Sequence, residues 1–239
     1  MNWLRRRFAR WHPPEVPAGL RMVIVHIGKT GGTALASVFA QDHAVRGHER
    51  ARVLGHSETL TRAAQSFPGV EIGFCLRDPV ERFVSGFYSR QRKGRPRYNS
   101  DWTPVEAEVF TRFPTPDALG RALAAGDPLA ARAMEGVVHL KRGLAHYLEG
   151  VAALERHGAR IGFIGMQESL ARDVEWLRRR LDLAPEAVLR LDDVGAHRNP
   201  AAVDKTLSPE ARAALKAHYA GDYAVRDWCR AKRRELGLD

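Results

Sequence analysis

Lys29 stands in Gly28-Lys29-Thr30-Gly31-Gly32-Thr33, which sets one cation and two hydroxyls among three glycines. Glycine permits φ > 0 and lets the backbone approach a ligand closely. Successive amides at a helix N-terminus hold an anion. The chemistry that fits is phosphate binding by the amides of 28–33, the Lys29 ammonium and the hydroxyls of Thr30 and Thr33. A second cationic group follows at Arg77, with Ser85 eight residues later. The planar fork of a guanidinium presents two parallel donors and suits a terminal phosphate. The imidazole of His56 titrates near working pH and could take the proton of a hydroxyl.

These groups can cooperate only if the elements around them deliver them to one place. The β-branched run Val23-Ile24-Val25 reads as a buried strand, and Thr33 is placed to cap a helix over 34–39. The stretch 70–76 reads as another strand, ending on Arg77. Asp78 then serves as N-cap, Pro79 as first helical residue and Glu81 as capping-box partner. A short strand ending near Leu54 would set Gly55-His56 at the sheet edge that carries Lys29, with Ser57 capping a helix that stops at Pro68-Gly69. A fourth strand over 159–165 leads into an amphipathic helix ending near Leu181. Strands that alternate with helices make an α/β fold with a central, mainly parallel sheet, and such sheets bind ligands at the carboxyl ends of their strands.

With 239 residues, 44% of them hydrophobic, the chain can bury one sizeable core, read as a basic segment over 1–20 and a single domain over 21–239. Two cysteines make no disulfide framework and have no metal-ligand spacing, which together with the lack of a secretory signal points to the cytoplasm. The first segment mixes Arg5, Arg6, Arg7 and Arg10 with Trp3, Leu4, Phe8 and Trp11. It could lie on an anionic membrane surface, although packing of its tryptophans on the domain is the simpler expectation. Half of the formal charge of +10 falls between Arg77 and Arg97, where seven Arg or Lys face only Asp78 and Glu81. Such a rim concentrates anionic ligands. Residues 91–128, broken by Pro104, Pro114 and Pro116, read as a partly helical insertion over the mouth of the site. His139 and His146 are seven apart on one predicted helix face and lack a third ligand for a metal.

A nucleoside-triphosphatase loop would need a glycine at position 23, where this chain has valine. The run from His26 to Thr33, followed by Arg77-Asp78-Pro79 and Ser85, instead resembles the two nucleotide motifs of sulfotransferases that use 3′-phosphoadenosine-5′-phosphosulfate (PAPS), in particular the group that contains the carbohydrate sulfotransferases. The resemblance is strong over 23–33 and 74–89 and faint over 91–160. It implies a three-layer fold like that of the P-loop nucleotide hydrolases. It also implies that Gly28, Lys29, Thr30, Gly31, Gly32 and Thr33 hold the 5′-phosphate, that Arg77 and Ser85 hold the 3′-phosphate, and that Ser85 restrains the lysine until acceptor binds. In that family a histidine after the second strand removes the acceptor proton, and His56 matches it better than His48. Arg198, in Gly195-Ala196-His197-Arg198-Asn199-Pro200, takes a nucleotide or structural role by the same likeness. The implied reaction moves a sulfuryl group from PAPS to a hydroxyl acceptor, such as a glycan or small metabolite. It leaves adenosine 3′,5′-bisphosphate and requires no metal. The competing expectations are an ATP-dependent small-molecule kinase and a basic nucleic-acid-binding protein, the latter without a recognisable nucleic-acid motif.

Overall fold

The computed structural model describes residues 15–96, 98–189 and 203–239. In chain order these form β1 (Met22–Val25), α1 (Gly32–Arg46), β2 (Ala51–Val53), α2 (Leu60–Ser66), β3 (Glu71–Leu76), α3 (Pro79–Gln91), α4 (Pro104–Arg112), α5 (Pro116–Ala124) and α6 (Pro128–Gly136). There follow α7 (Val138–Lys141), α8 (Leu144–Leu148), α9 (Val151–His157), β4 (Ile161–Met166), α10 (Leu170–Leu181), α11 (Pro209–His218) and α12 (Ala220–Glu235).

The strands make one all-parallel sheet in the order β2-β1-β3-β4, flanked by helices, so the chain is an α/β protein. Both faces of a parallel sheet are covered, which is why β1 and β4 are buried at every position. Side chains alternate across the sheet. Met22 and Ile24 pack with Leu35 and Val38 of α1 and with Val174 and Leu177 of α10. Val23 and Val25 pack on the opposite face with Leu60, Leu148, Leu154 and Val225, from α2, α8, α9 and α12. A third cluster holds α3 to α4, α5, α6, α7 and α11 through Phe83, Phe87, Phe110, Leu119 and Met134.

Several local boundaries differ from the sequence expectation. Gly31, at φ 107°, is the N-cap of α1, and the helix begins one residue before Thr33 and runs to Arg46. A left-handed backbone is available there to glycine, so it displaces the hydroxyl cap. Thr59 rather than Ser57 caps α2, its side chain accepting from the Arg62 amide. Asp78 does cap α3, accepting from the amides of Val80 and Glu81. The capping box falls instead at Thr103 and Glu106, at the start of α4. His139 and His146 lie on two helices, α7 and α8, and share no face, because the chain breaks at Arg142 and Gly143. Trp102, Phe110 and Phe113, in the expected insertion, pack into the third cluster. Cys75 and Cys229 are buried free thiols, and burial raises both pKa values, that of Cys75 to about 12. Among the described residues no helix is long and apolar enough to cross a membrane.

Candidate functional site

The register of the sheet decides what meets at its carboxyl edge. Val25 lies beside Phe74 and Ile24 beside Val53. Three residues past Val25 comes Gly28, three past Phe74 comes Arg77, and three past Val53 comes His56. The chain moves from β1 outward to β2 and then returns to the other side of β1 for β3. The crevice of this switch point therefore opens between the loop of Lys29 and the turn of Arg77, the place where open α/β sheets take their ligands. His48 precedes β2, next to Gly19 and hydrogen-bonded at 3.1 Å to the Arg46 carbonyl, at the opposite end of the sheet.

The loop is shaped from within. Thr30 is 1% exposed and donates its hydroxyl to the Ile27 carbonyl at 2.9 Å, so this side chain closes the turn and leaves only its amide to reach outward. The Thr33 side chain stays partly exposed at the start of α1. Lys29 holds φ 70°, a left-handed conformation uncommon for a side-chain-bearing residue and characteristic of functional turns. A methyl group on Gly32 would overlap the His26 ring, which lets α1 begin directly against that imidazole. Arg82, reaching up from α3, donates Nε to the Gly28 carbonyl at 3.0 Å and Nη2 to the Arg142 carbonyl.

Cations converge here, and among the described residues none of Lys29, Arg77 and Arg82 forms an ion pair. Lys29 forms neither a hydrogen bond nor an ion pair among the described residues. Burial, followed by the charges of Arg92, Arg77 and Arg82, pushes its pKa from 10.5 down to about 7. Among the described residues Arg77 has its Nε buried without a partner, as Arg82 has its Nη1. The pKa of Arg77 is lowered, first by burial, against the opposing pull of Glu81, Glu168 and Asp78. Buried charges are ordinarily paired, because desolvation costs several kcal/mol per ion. Asp78, the nearest carboxylate in sequence, is committed to the α3 amides, to the Tyr223 hydroxyl at 3.2 Å and to Arg226 at 3.6 Å. Ser85, 7% exposed, lies on α3 one turn beyond Arg82.

The histidines flank this group. His56 lies against His26 with ring centroids 3.9 Å apart and the planes tilted by 30°, and its Nδ1 meets the His26 carbonyl at 3.3 Å. Donation from Nδ1 to that carbonyl leaves the Nε2 lone pair facing away, the tautomer a proton acceptor needs. Its pKa is lowered, by burial and then by Arg142 and Lys29, with the His26 contact opposing. His139 on α7, weighed in the sequence only as a metal ligand, also lies here. Its Nδ1 stands 3.6 Å from where a methyl group on Gly28 would lie, and its pKa falls to about 3, through burial and then Lys29 and Arg82. The sequence signal for it was only a pair of small residues, Gly28 and Gly86, that make room for its ring and backbone. The expected role of Arg198 lies outside the described residues.

This arrangement can bind a polyanion at two ends, neutralise charge that develops between them and accept one proton beside them. No family model matches the chain, and no curated protein matches it by sequence.

Proposed function

We propose that the chain is a PAPS-dependent sulfotransferase with a P-loop-like, three-layer fold. The observation that carries this reading is the group of Lys29, Arg77 and Arg82 at the switch point of the sheet, none of which forms an ion pair among the described residues. Two buried donor atoms without partners among the described residues, Arg77 Nε and Arg82 Nη1, fit a ligand that brings negative charge to both sides of the crevice. Adenosine 3′,5′-bisphosphate and its sulfated donor have that form.

In this reading the amides of Gly28 to Thr33 hold the 5′-phosphate, and Arg77 and Ser85 hold the 3′-phosphate. Thr33 adds a hydroxyl, whereas Thr30 adds only its amide. The acceptor hydroxyl loses its proton to His56 Nε2, its oxygen bonds to sulfur, and the sulfur–oxygen bond to the 5′-phosphate breaks. Lys29 balances the charge left on the departing phosphate oxygen. A bound polyanion also raises the pKa values of Lys29 and His56 again, which charges the lysine and makes the histidine a better base as the donor is seated. Asp78, the acid at the β3 end, is already engaged, which favours this chemistry over a kinase in which a strand-end carboxylate holds magnesium.

A thermal shift decides between them. Adenosine 3′,5′-bisphosphate should raise the unfolding midpoint and magnesium ATP should not. The reverse pattern overturns the proposal. Salt-sensitive duplex binding without a bisphosphate response would assign the basic rim to nucleic acid instead. Screening hydroxyl acceptors, glycans and small metabolites, with labelled PAPS would then identify the acceptor.

A further inference from the structure

We infer that His139 is a further catalytic residue of this site, an uncharged imidazole that donates its Nδ1 hydrogen to an oxygen of the sulfuryl group in transfer. The inference rests on the sulfuryl-transfer reading above.

Three structural facts support it. The first is fit. His139 sits where two glycines open a space: a methyl group on Gly86 of α3 would come within 3.0 Å of the His139 Cβ and carbonyl oxygen, and Gly28 of the loop faces the ring through Nδ1. The second is rigidity. The corner from α7 to α8 is tied down by three contacts on its backbone: Arg82 Nη2 donates to the Arg142 carbonyl, the Tyr219 hydroxyl donates to the Leu140 carbonyl at 2.9 Å, and the Asp222 carboxylate accepts from the Leu144 and Ala145 amides at 2.8 and 2.9 Å. A donor held this way is preorganised and needs no rearrangement at the moment of reaction. The third is capacity. The ring of His139 makes no hydrogen bond among the described residues, although it is partly buried in a polar site.

The division of labour between the two histidines follows from their partners. His56 has the His26 carbonyl to orient it, as a proton acceptor requires; His139 has no such orienting group. Burial first, and then the charges of Lys29, Arg82 and Arg90, keep His139 neutral at physiological pH. A neutral ring stabilises negative charge as a hydrogen-bond donor without adding another cation to a site that already holds Lys29, Arg77 and Arg82. During transfer it keeps its proton. The hydroxyl proton goes to His56, and the electron pair of the breaking sulfur–oxygen bond leaves with the bisphosphate.

The test compares the sulfated and unsulfated nucleotides by calorimetry with the full chain. His139→Ala should weaken PAPS binding by about fivefold, the worth of one neutral hydrogen bond. It should leave adenosine 3′,5′-bisphosphate within twofold and the thermal midpoint unchanged. His139→Asn, whose amide nitrogen can occupy the position of Nδ1, should recover most of the loss. Turnover of labelled PAPS should fall by about 100-fold in the alanine variant, as when one transition-state donor is removed. Equal losses for both nucleotides, no loss for either, or failure of asparagine to restore PAPS binding would each overturn the assignment. If the parent protein binds neither nucleotide, the sulfuryl-transfer reading itself falls. If it binds both and the variants match it, only the role of His139 falls.

Discussion

Arg233 and Arg82 are each 1% exposed, yet their surroundings are opposite. Arg233, on α12, is saturated: it pairs with Asp173 at 2.9 Å and Asp239 at 2.9 Å, and it also donates to the carbonyls of Ile164 and Leu238. Asp173 in turn accepts from the Met166 amide and the Ser169 hydroxyl. Among the described residues Arg82 has two carbonyls, no carboxylate and one nitrogen without a partner, and neither Arg77 nor Lys29 nearby forms an ion pair. The same fold thus compensates a buried charge fully at the β4 side and leaves the charges at the β1–β3 crevice open. The first arrangement holds the structure together. The second carries an electrostatic cost that an anionic ligand would offset.

Breaking the saturated region should cost most. Asp173→Ala leaves Arg233 beside β4 with only the partly exposed Asp239 as a carboxylate partner among the described residues, and should lower stability by about 3–5 kcal/mol, measured by urea denaturation. A cost below about 1 kcal/mol would mean that the pair is solvated and the contrast unfounded. Removing a charge from the open region should do the reverse: Lys29→Ala should cut sulfuryl transfer by about 100- to 1,000-fold with no fall in the thermal midpoint, since it relieves repulsion among cations. Near-normal turnover of this variant with labelled PAPS would remove Lys29 from the reaction.

Arg77→Ala should weaken adenosine 3′,5′-bisphosphate by about 10- to 100-fold, the range for a charge-assisted contact. Adenosine 5′-monophosphate, which lacks the 3′-group, should bind the parent and the variant alike. An equal loss for both nucleotides would move Arg77 to the other phosphate. The smallest effect concerns pH. Lys29 is charged below its pKa of about 7 and loses that charge above it, so bisphosphate affinity should fall as pH rises from 7, by at most about tenfold per unit. Lys29→Met should flatten this dependence, and a parent profile that is flat between pH 7 and 9 would show that the lysine keeps its proton throughout.

Much of this site could be read from residue order because its parts are local. Asp78-Pro79 carries a local helix-start signal, an N-cap acceptor followed by a first-turn proline, and that start holds Arg77 at the end of β3. The glycines around Lys29 announce a turn before a helix. Other features were hidden because they depend on partners distant in the chain. The Thr30 hydroxyl is consumed by the Ile27 carbonyl, so its type alone overstated what it offers a ligand. Gly31 outcompeted Thr33 as N-cap through a backbone angle that no side-chain rule reports. From sequence His56 matches the expected base better than His48, and the direction of β2 separates them outright, sending one to each end of the sheet.

By itself the sequence determined the strand–turn–helix units that carry Lys29 and Arg77, since backbone propensity and capping act over a few residues. Tertiary structure alone decided that β1 and β3 lie side by side in parallel, which brings those units to one crevice. It also decided that α7 folds back over the loop, setting His139 against Gly28 from 111 positions away. Long-range packing of apolar faces sets such meetings, and no local pattern in the chain encodes them.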